Sequence, residues 1–112
     1  MSGTVLLNVH NAFVADAKVR DYLLDPNHPM NGGKASFFQR FGFTQHNWTV
    51  LQKALLLHPQ NNPVSTVTPN PYGTRYVVQC SLRSPDGRNP CINTVWVMDP
   101  CSSAPKLVTA HP

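Results

Sequence analysis

Hydrophobic residues recur at helical spacing through the first half of this chain and at alternate positions through the second, so the pattern predicts helices followed by strands. Residues 4–9, Thr-Val-Leu-Leu-Asn-Val, are β-prone and read either as a short strand or as a lead into the fold. From Asp16 the spacing predicts a helix with Val19, Tyr22 and Leu23 on one stripe. It ends at Asp25-Pro26, because a residue before proline is pushed out of the α region. Residues 26–33 hold nearly every turn-forming residue type and form a loop that carries His28. A second helix is predicted over Lys34 to Phe41, with Phe37, Phe38 and Phe41 on its apolar face and Gly42 as a left-handed cap. Thr44 is expected to cap a third helix bearing Trp48, Leu51, Ala54 and Leu55, which His58-Pro59 should end.

After a proline-rich connection over residues 59–63, four strands are expected: Ser65 to Thr68, Thr74 to Leu82, Ile92 to Met98, and Lys106 to Ala110. Asp86-Gly87 is a strong hairpin signal, since a two-residue turn demands positive φ that both tolerate. With those two at the tip, Tyr76 opposes Val97, Val78 opposes Val95, Cys80 opposes Asn93 and Leu82 opposes Cys91 on a core face. Arg75, Val77, Gln79, Ser81, Ile92, Thr94, Trp96 and Met98 then share the other face, which offers Arg75, Gln79, Thr94 and Trp96 to a phosphate and a base. A slip of one residue would exchange the faces. The bland alternative is that Trp96 and Met98 only cover the far side of the sheet. The fold class expected is α+β, with amino-terminal helices packed on a four-stranded antiparallel sheet in a single domain over residues 1–112.

Composition narrows the chemistry. Nine Lys plus Arg against five Asp and no Glu leave a net charge of +4, which favours acidic partners such as RNA, DNA or an acidic protein. No stretch approaches the roughly 20 apolar residues of a membrane span, and no export signal opens the chain. Cys80, Cys91 and Cys101 form neither a CxxC half-site nor an obvious disulfide framework, so free thiols in a cytoplasmic setting are expected. The scattered histidines predict no metal, and no cofactor is implied. Without a Gly-rich phosphate loop, nucleophile elbow or paired carboxylates, the sequence argues against nucleoside-triphosphatase, serine hydrolase and glycosidase chemistry.

Metal-free RNA cleavage needs a base for the 2′-hydroxyl, an acid for the leaving oxygen and cations for the phosphorane. His28 in its loop and Lys34 at a helix start are candidates for shuttling a proton and holding a phosphate. Thr109 on the last strand could orient a phosphate, and Arg88 at the hairpin tip could contact RNA. For each, a structural role is the competing reading: a turn cap for His28, solvated charges for Lys34 and Arg88, and a plain strand residue for Thr109.

Tyr22-Leu23-Leu24, Pro26-Asn27-His28-Pro29, Lys34-Ala35 with Phe38, Gly42-Phe43-Thr44, Asn47-Trp48 and Leu51 resemble a bacterial domain-of-unknown-function family of short proteins. The likeness continues through Tyr72-Gly73-Thr74, Tyr76-Val77-Val78, Ser84-Pro85-Asp86-Gly87-Arg88, Thr94-Val95-Trp96, Pro105 and Leu107-Val108-Thr109-Ala110. That family is similar in layout to the barnase, EndoU, colicin and RelE ribonuclease fold. The likeness implies a metal-independent RNase toxin held by an antitoxin or immunity protein, with His28, Lys34, Arg75, Arg88 and Thr109 meeting in one cleft. His111 stands where relatives are expected to carry an aromatic residue. The alternative expectation is a non-enzymatic module that binds a protein partner through Trp96.

Overall fold

The computed structural model describes residues 4–112. Helices occupy its first half and an antiparallel sheet its second, as the periodicities require. A 3₁₀ turn at Val9–Asn11 precedes α1, which runs over Asp16–Lys18 and continues without a break into a π-turn at Val19–Leu23. The widened turn is closed by the Leu24 amide donating to the Val19 carbonyl at 3.0 Å, one residue further along than in an α-helix. Helix α2 spans Lys34–Arg40 and α3 spans Trp48–Asn61. Strands β1 (Val64–Asn70), β2 (Gly73–Ser81), β3 (Cys91–Met98) and β4 (Lys106–His111) pair in sequence order.

Two helix expectations are corrected. Thr44 does not adjoin α3, which Asn47 precedes, but forms a reciprocal box with it: the Thr44 amide and hydroxyl donate to Asn47 Oδ1 at 2.7 Å, and Thr44 Oγ1 accepts the Asn47 amide at 3.2 Å. Nor does Pro59 end α3. Proline removes one amide and so one ladder bond, but the Asn62 side chain donates to the His58 carbonyl at 2.9 Å and the Ser81 carbonyl at 3.0 Å, tying the last turn to β2. The β-prone amino-terminal segment forms no strand between Thr4 and Asn8; further along, Phe13 makes an isolated parallel bridge to Lys106.

The hairpin register differs from expectation by one residue. Tyr76 pairs with Trp96, Val78 with Thr94 and Cys80 with Ile92. The reason lies in the connection: Ser84 to Gly87 make a turn closed by the Gly87 amide on the Ser84 carbonyl, and Asn89 adds a further residue at φ 49°. Asp86-Gly87 therefore sit off-centre. The slip leaves the faces of β2 as expected and inverts those of β3, so Ile92, Thr94 and Trp96 point at the helices. Across the inward face run the rows Tyr76–Trp96–Leu107 and Val78–Thr94–Ala110. They meet Leu23, Leu24, Phe38, Phe43, Leu51 and Leu55 in one core. Cys80 and Cys91, expected as free thiols, are joined by a disulfide; Cys101 is free and exposed.

Candidate functional site

Of the expected RNA-contacting residues, Thr94 and Trp96 are buried and Arg88 is tied into the hairpin loop. Thr94 and Trp96 are each 0% exposed, so neither can meet a base. They belong to a buried network whose proton positions follow from its acceptors. His58 Nε2 faces the Cys80 carbonyl at 2.8 Å and must donate, so Nδ1 accepts from the Thr94 hydroxyl at 2.9 Å. The Trp96 indole N–H in turn donates to Thr94 Oγ1 at 2.9 Å. Arg88 is likewise engaged: Nε bonds Asp86 Oδ2 at 2.6 Å, Nη2 donates to the Arg40 carbonyl, and the guanidinium lies 4.4 Å from the Phe41 ring centroid. It clasps the hairpin loop to α2. The Arg88 amide and the Ser84 hydroxyl hold the Asp86 carboxyl down at about 2.

Burial pushes the His58 imidazole below its ordinary value of 6.5, which carries a pH prediction. The folded ring stays neutral where the unfolded chain takes up a proton, so stability is highest above pH 6.5 and falls as pH drops below it. Urea unfolding at stepped pH should give a slope of up to about 1.4 kcal/mol per pH unit on the acid side, which His58→Leu flattens. The Asp86 contribution is lost only at much lower pH, as the carboxyl protonates toward about 2.

His28 and Lys34 are brought together. The agent is Asn31, a buried side chain whose amide donates to the Tyr22 carbonyl at 2.9 Å and the Asp25 carbonyl at 2.7 Å. The Tyr22 carbonyl belongs to the π-turn and the Asp25 carbonyl to the loop beyond it, where it also accepts the His28 amide at 3.2 Å. Asn31 Oδ1 accepts from the Gly33 amide at 3.1 Å, and Gly32 and Gly33 supply the positive φ (62° and 81°) that turns the chain into α2. The loop is thereby folded back on α1, and both residues arrive at Tyr22. The His28 ring stands edge-on to the phenol at 5.0 Å between centroids, and Lys34 Nζ donates to Tyr22 Oη at 3.3 Å. Lys18, one helical turn before Tyr22, places its ammonium 5.2 Å from the same ring centroid.

Tyr22 and Lys18 line a cavity of about 760 Å³ between α1 and the β3–β4 end of the sheet. Val97, Asp99, Ser102, Lys106 and Val108 are among its other walls. The volume lies within the roughly 300–1,000 Å³ of small-molecule sites. Lys18, Lys34 and Lys106 make no ion pair among the described residues. From Val97 the surface continues across the sheet face turned away from the helices, through the rows Thr68–Arg75–Val97–Lys106, Thr66–Val77–Val95–Thr109 and Gln79–Asn93–His111. Arg75 and Gln79 are exposed there. Thr109 Oγ1 is shielded from solvent with no hydrogen-bond partner, the one such side-chain atom among the described residues. Arg75, Gln79 and Thr109 thus share a face next to the cavity, while no hydrogen bond or ring contact among the described residues joins them to His28 and Lys34.

Sequence reasoning missed Lys18, Tyr22 and Lys106. The i, i+4 spacing of Lys18 and Tyr22 was a readable signal, masked because Tyr22 also fits the apolar stripe of α1. Among the described residues, no three His, Cys, Asp or Glu side chains form a metal-holding group, and no helix is long and apolar enough to cross a membrane.

This order of helices and sheet occurs in a solved complex described as a contact-dependent growth inhibition toxin and its immunity protein from Klebsiella pneumoniae 342. One chain of that complex is similar at TM-score 0.68 and 17% identity, with 88% of this chain and 97% of that chain covered, which establishes a shared fold. The chain belongs to the family described as Domain of unknown function (DUF6883), which it matches over residues 5–112. No curated protein matches it in sequence.

Proposed function

We propose that the protein is a metal-independent endoribonuclease acting as the toxin of a toxin–immunity or toxin–antitoxin pair, cleaving RNA by attack of the 2′-hydroxyl on the adjoining phosphate. The observation that carries this reading is a cavity lined by Lys18, Lys106 and Tyr22, with Lys34 on the Tyr22 phenol beside it and none of the three lysines in an ion pair among the described residues. Unpaired cations in that number call for a polyanion, and a phosphodiester chain is the polyanion that also uses an aromatic wall. The fold shared with a chain of a toxin–immunity complex supports a role on one side of such a pair and a cognate protein partner.

In this reading Lys34 and Lys18 neutralise the scissile phosphate, and Arg75 and Gln79 guide the flanking strand along the sheet face. Thr109 lies on the same face, but its hydroxyl is shielded from solvent and is left out of phosphate binding in this reading. His28 acts as a donor. Its Nδ1 accepts the Met30 amide at 3.0 Å, so the ring carries its proton on Nε2. The rival reading, a protein-binding module anchored on Trp96, loses its anchor because that indole is buried.

Purified protein, free of any partner, incubated with total tRNA and rRNA in EDTA is expected to cleave RNA and leave 2′,3′-cyclic phosphate ends. Intact RNA, together with unimpaired growth on expression, would end the enzyme reading.

A further inference from the structure

Within the ribonuclease reading, on which this inference rests, we propose that Tyr22 is the general acid that protonates the leaving oxygen and Asp99 the general base that activates the 2′-hydroxyl. The assignment begins with exclusion. For His28 to take a proton on Nδ1 it would have to give up the Met30 amide, and Nε2 already bears hydrogen. Lys18 and Lys34 are donors only while charged. Among the side chains that line the cavity the Asp99 carboxylate is therefore the group able to accept a proton, and the Tyr22 phenol, held by Lys34, is the donor assigned to the leaving oxygen.

Their settings suit opposite roles. Tyr22 Oη accepts from the Lys34 ammonium at 3.3 Å, which leaves its own O–H to donate into the cavity. The phenolate left after proton transfer would lie between two cations, with Lys18 and Lys34 Nζ 5.2 and 5.5 Å from the ring centroid. Asp99 is held by the Cys101 amide on Oδ1 at 3.0 Å, so Oδ2 is the oxygen left to accept a proton. Asp99 is the one carboxylate among the described residues lining this cavity. Tyr22 comes from the π-turn after α1 and Asp99 from the β3–β4 connection, two separate elements that line one cavity, and the proposal seats the phosphate between them.

The step balances. Asp99 Oδ2 takes the 2′-hydroxyl proton as the 2′-oxygen bonds to phosphorus. The bond from phosphorus to the 5′-oxygen breaks with its electron pair on oxygen, and that oxygen receives the Tyr22 proton. A 2′,3′-cyclic phosphate and a 5′-hydroxyl result, and the phenolate and carboxylic acid exchange protons with water to reset.

The test compares two substrates for the full chain: a dinucleoside phosphate, and uridine 3′-(p-nitrophenyl phosphate), whose leaving group needs no proton. Tyr22→Phe should lower kcat about 10²–10⁴-fold on the first and only a few-fold on the second, whereas Asp99→Asn should lower both. Equal losses on the two substrates with Tyr22→Phe, or none, would overturn the acid assignment, and full activity of Asp99→Asn would overturn the base. If Tyr22→Phe does not fold, 3-fluorotyrosine at position 22 replaces it, and the alkaline limb of the pH–rate profile should move to lower pH; an unmoved limb rejects the proposal. Wild-type protein inert on both substrates would instead refute the ribonuclease reading beneath it.

Discussion

Trp96→Ala is expected to lower the stability of the protein by about 3–5 kcal/mol. The indole is fully buried on the inward face of β3, in contact with the core that α1, α2 and α3 supply. Truncation opens a large cavity there and also removes the N–H that satisfies Thr94 Oγ1, the hub through which His58 is held. Both losses act together, because a shared network does not lose its bonds independently. Set against the 5–15 kcal/mol of a typical domain, the change removes much of the total. Urea unfolding near neutral pH measures it, and Trp96→Phe, which keeps a ring but no N–H, should cost less. A Trp96→Ala protein of unaltered unfolding midpoint but weakened RNA or partner binding would contradict the register of β3 on which the site rests.

The second large effect belongs to Lys34. Replacing it by alanine is expected to lower RNA cleavage about 10²–10³-fold, the range seen when one donor to a developing oxyanion is removed. Stability should stay within about 0.5 kcal/mol, since the side chain is only partly buried and makes no ion pair among the described residues. Lys34→Arg should retain part of the activity. Combining Lys34→Ala with Tyr22→Phe should cost less than the product of the two single losses, because the ammonium bonds the phenol as well as holding the phosphate. Additive losses would mean that the two residues serve different events.

The helices and strands were legible because each has its own hydrophobic period, and the second helix and all four strands fall within a residue or two of their expected limits. Local signals that depend on neighbours misled. Thr44 has the chemistry of a cap but spends it on Asn47, and Pro59 stays in α3 because Asn62 reaches both the helix and β2. The hairpin shows why register is hard to read from one dipeptide. Asp86-Gly87 do turn, but Asn89 in the left-handed region lengthens one arm, and that exchanged Thr94 and Trp96 for Asn93, Val95 and Val97 on the outer face. Of the candidate site, His28 and Lys34 were legible only as a loop histidine and a helix-start lysine six residues on, with no specific spacing. Their meeting point on Tyr22 was not, because Asn31 creates it through contacts to carbonyls that no side-chain pattern records.

The bridge from Phe13 to Lys106 determines when the cavity comes into being. Phe13 N donates to the Pro105 carbonyl at 2.8 Å and Leu107 N donates to the Phe13 carbonyl at 2.9 Å, so the segment that leads into α1 is fastened to the start of β4 at that one bridge. Ala15 and Tyr22 can face Lys106 and Val108 only after residues made early have waited for residues made late. A ribosome still holding the stretch that becomes β4 therefore carries a chain without an assembled pocket, and whatever the pocket binds must wait until translation has passed that strand.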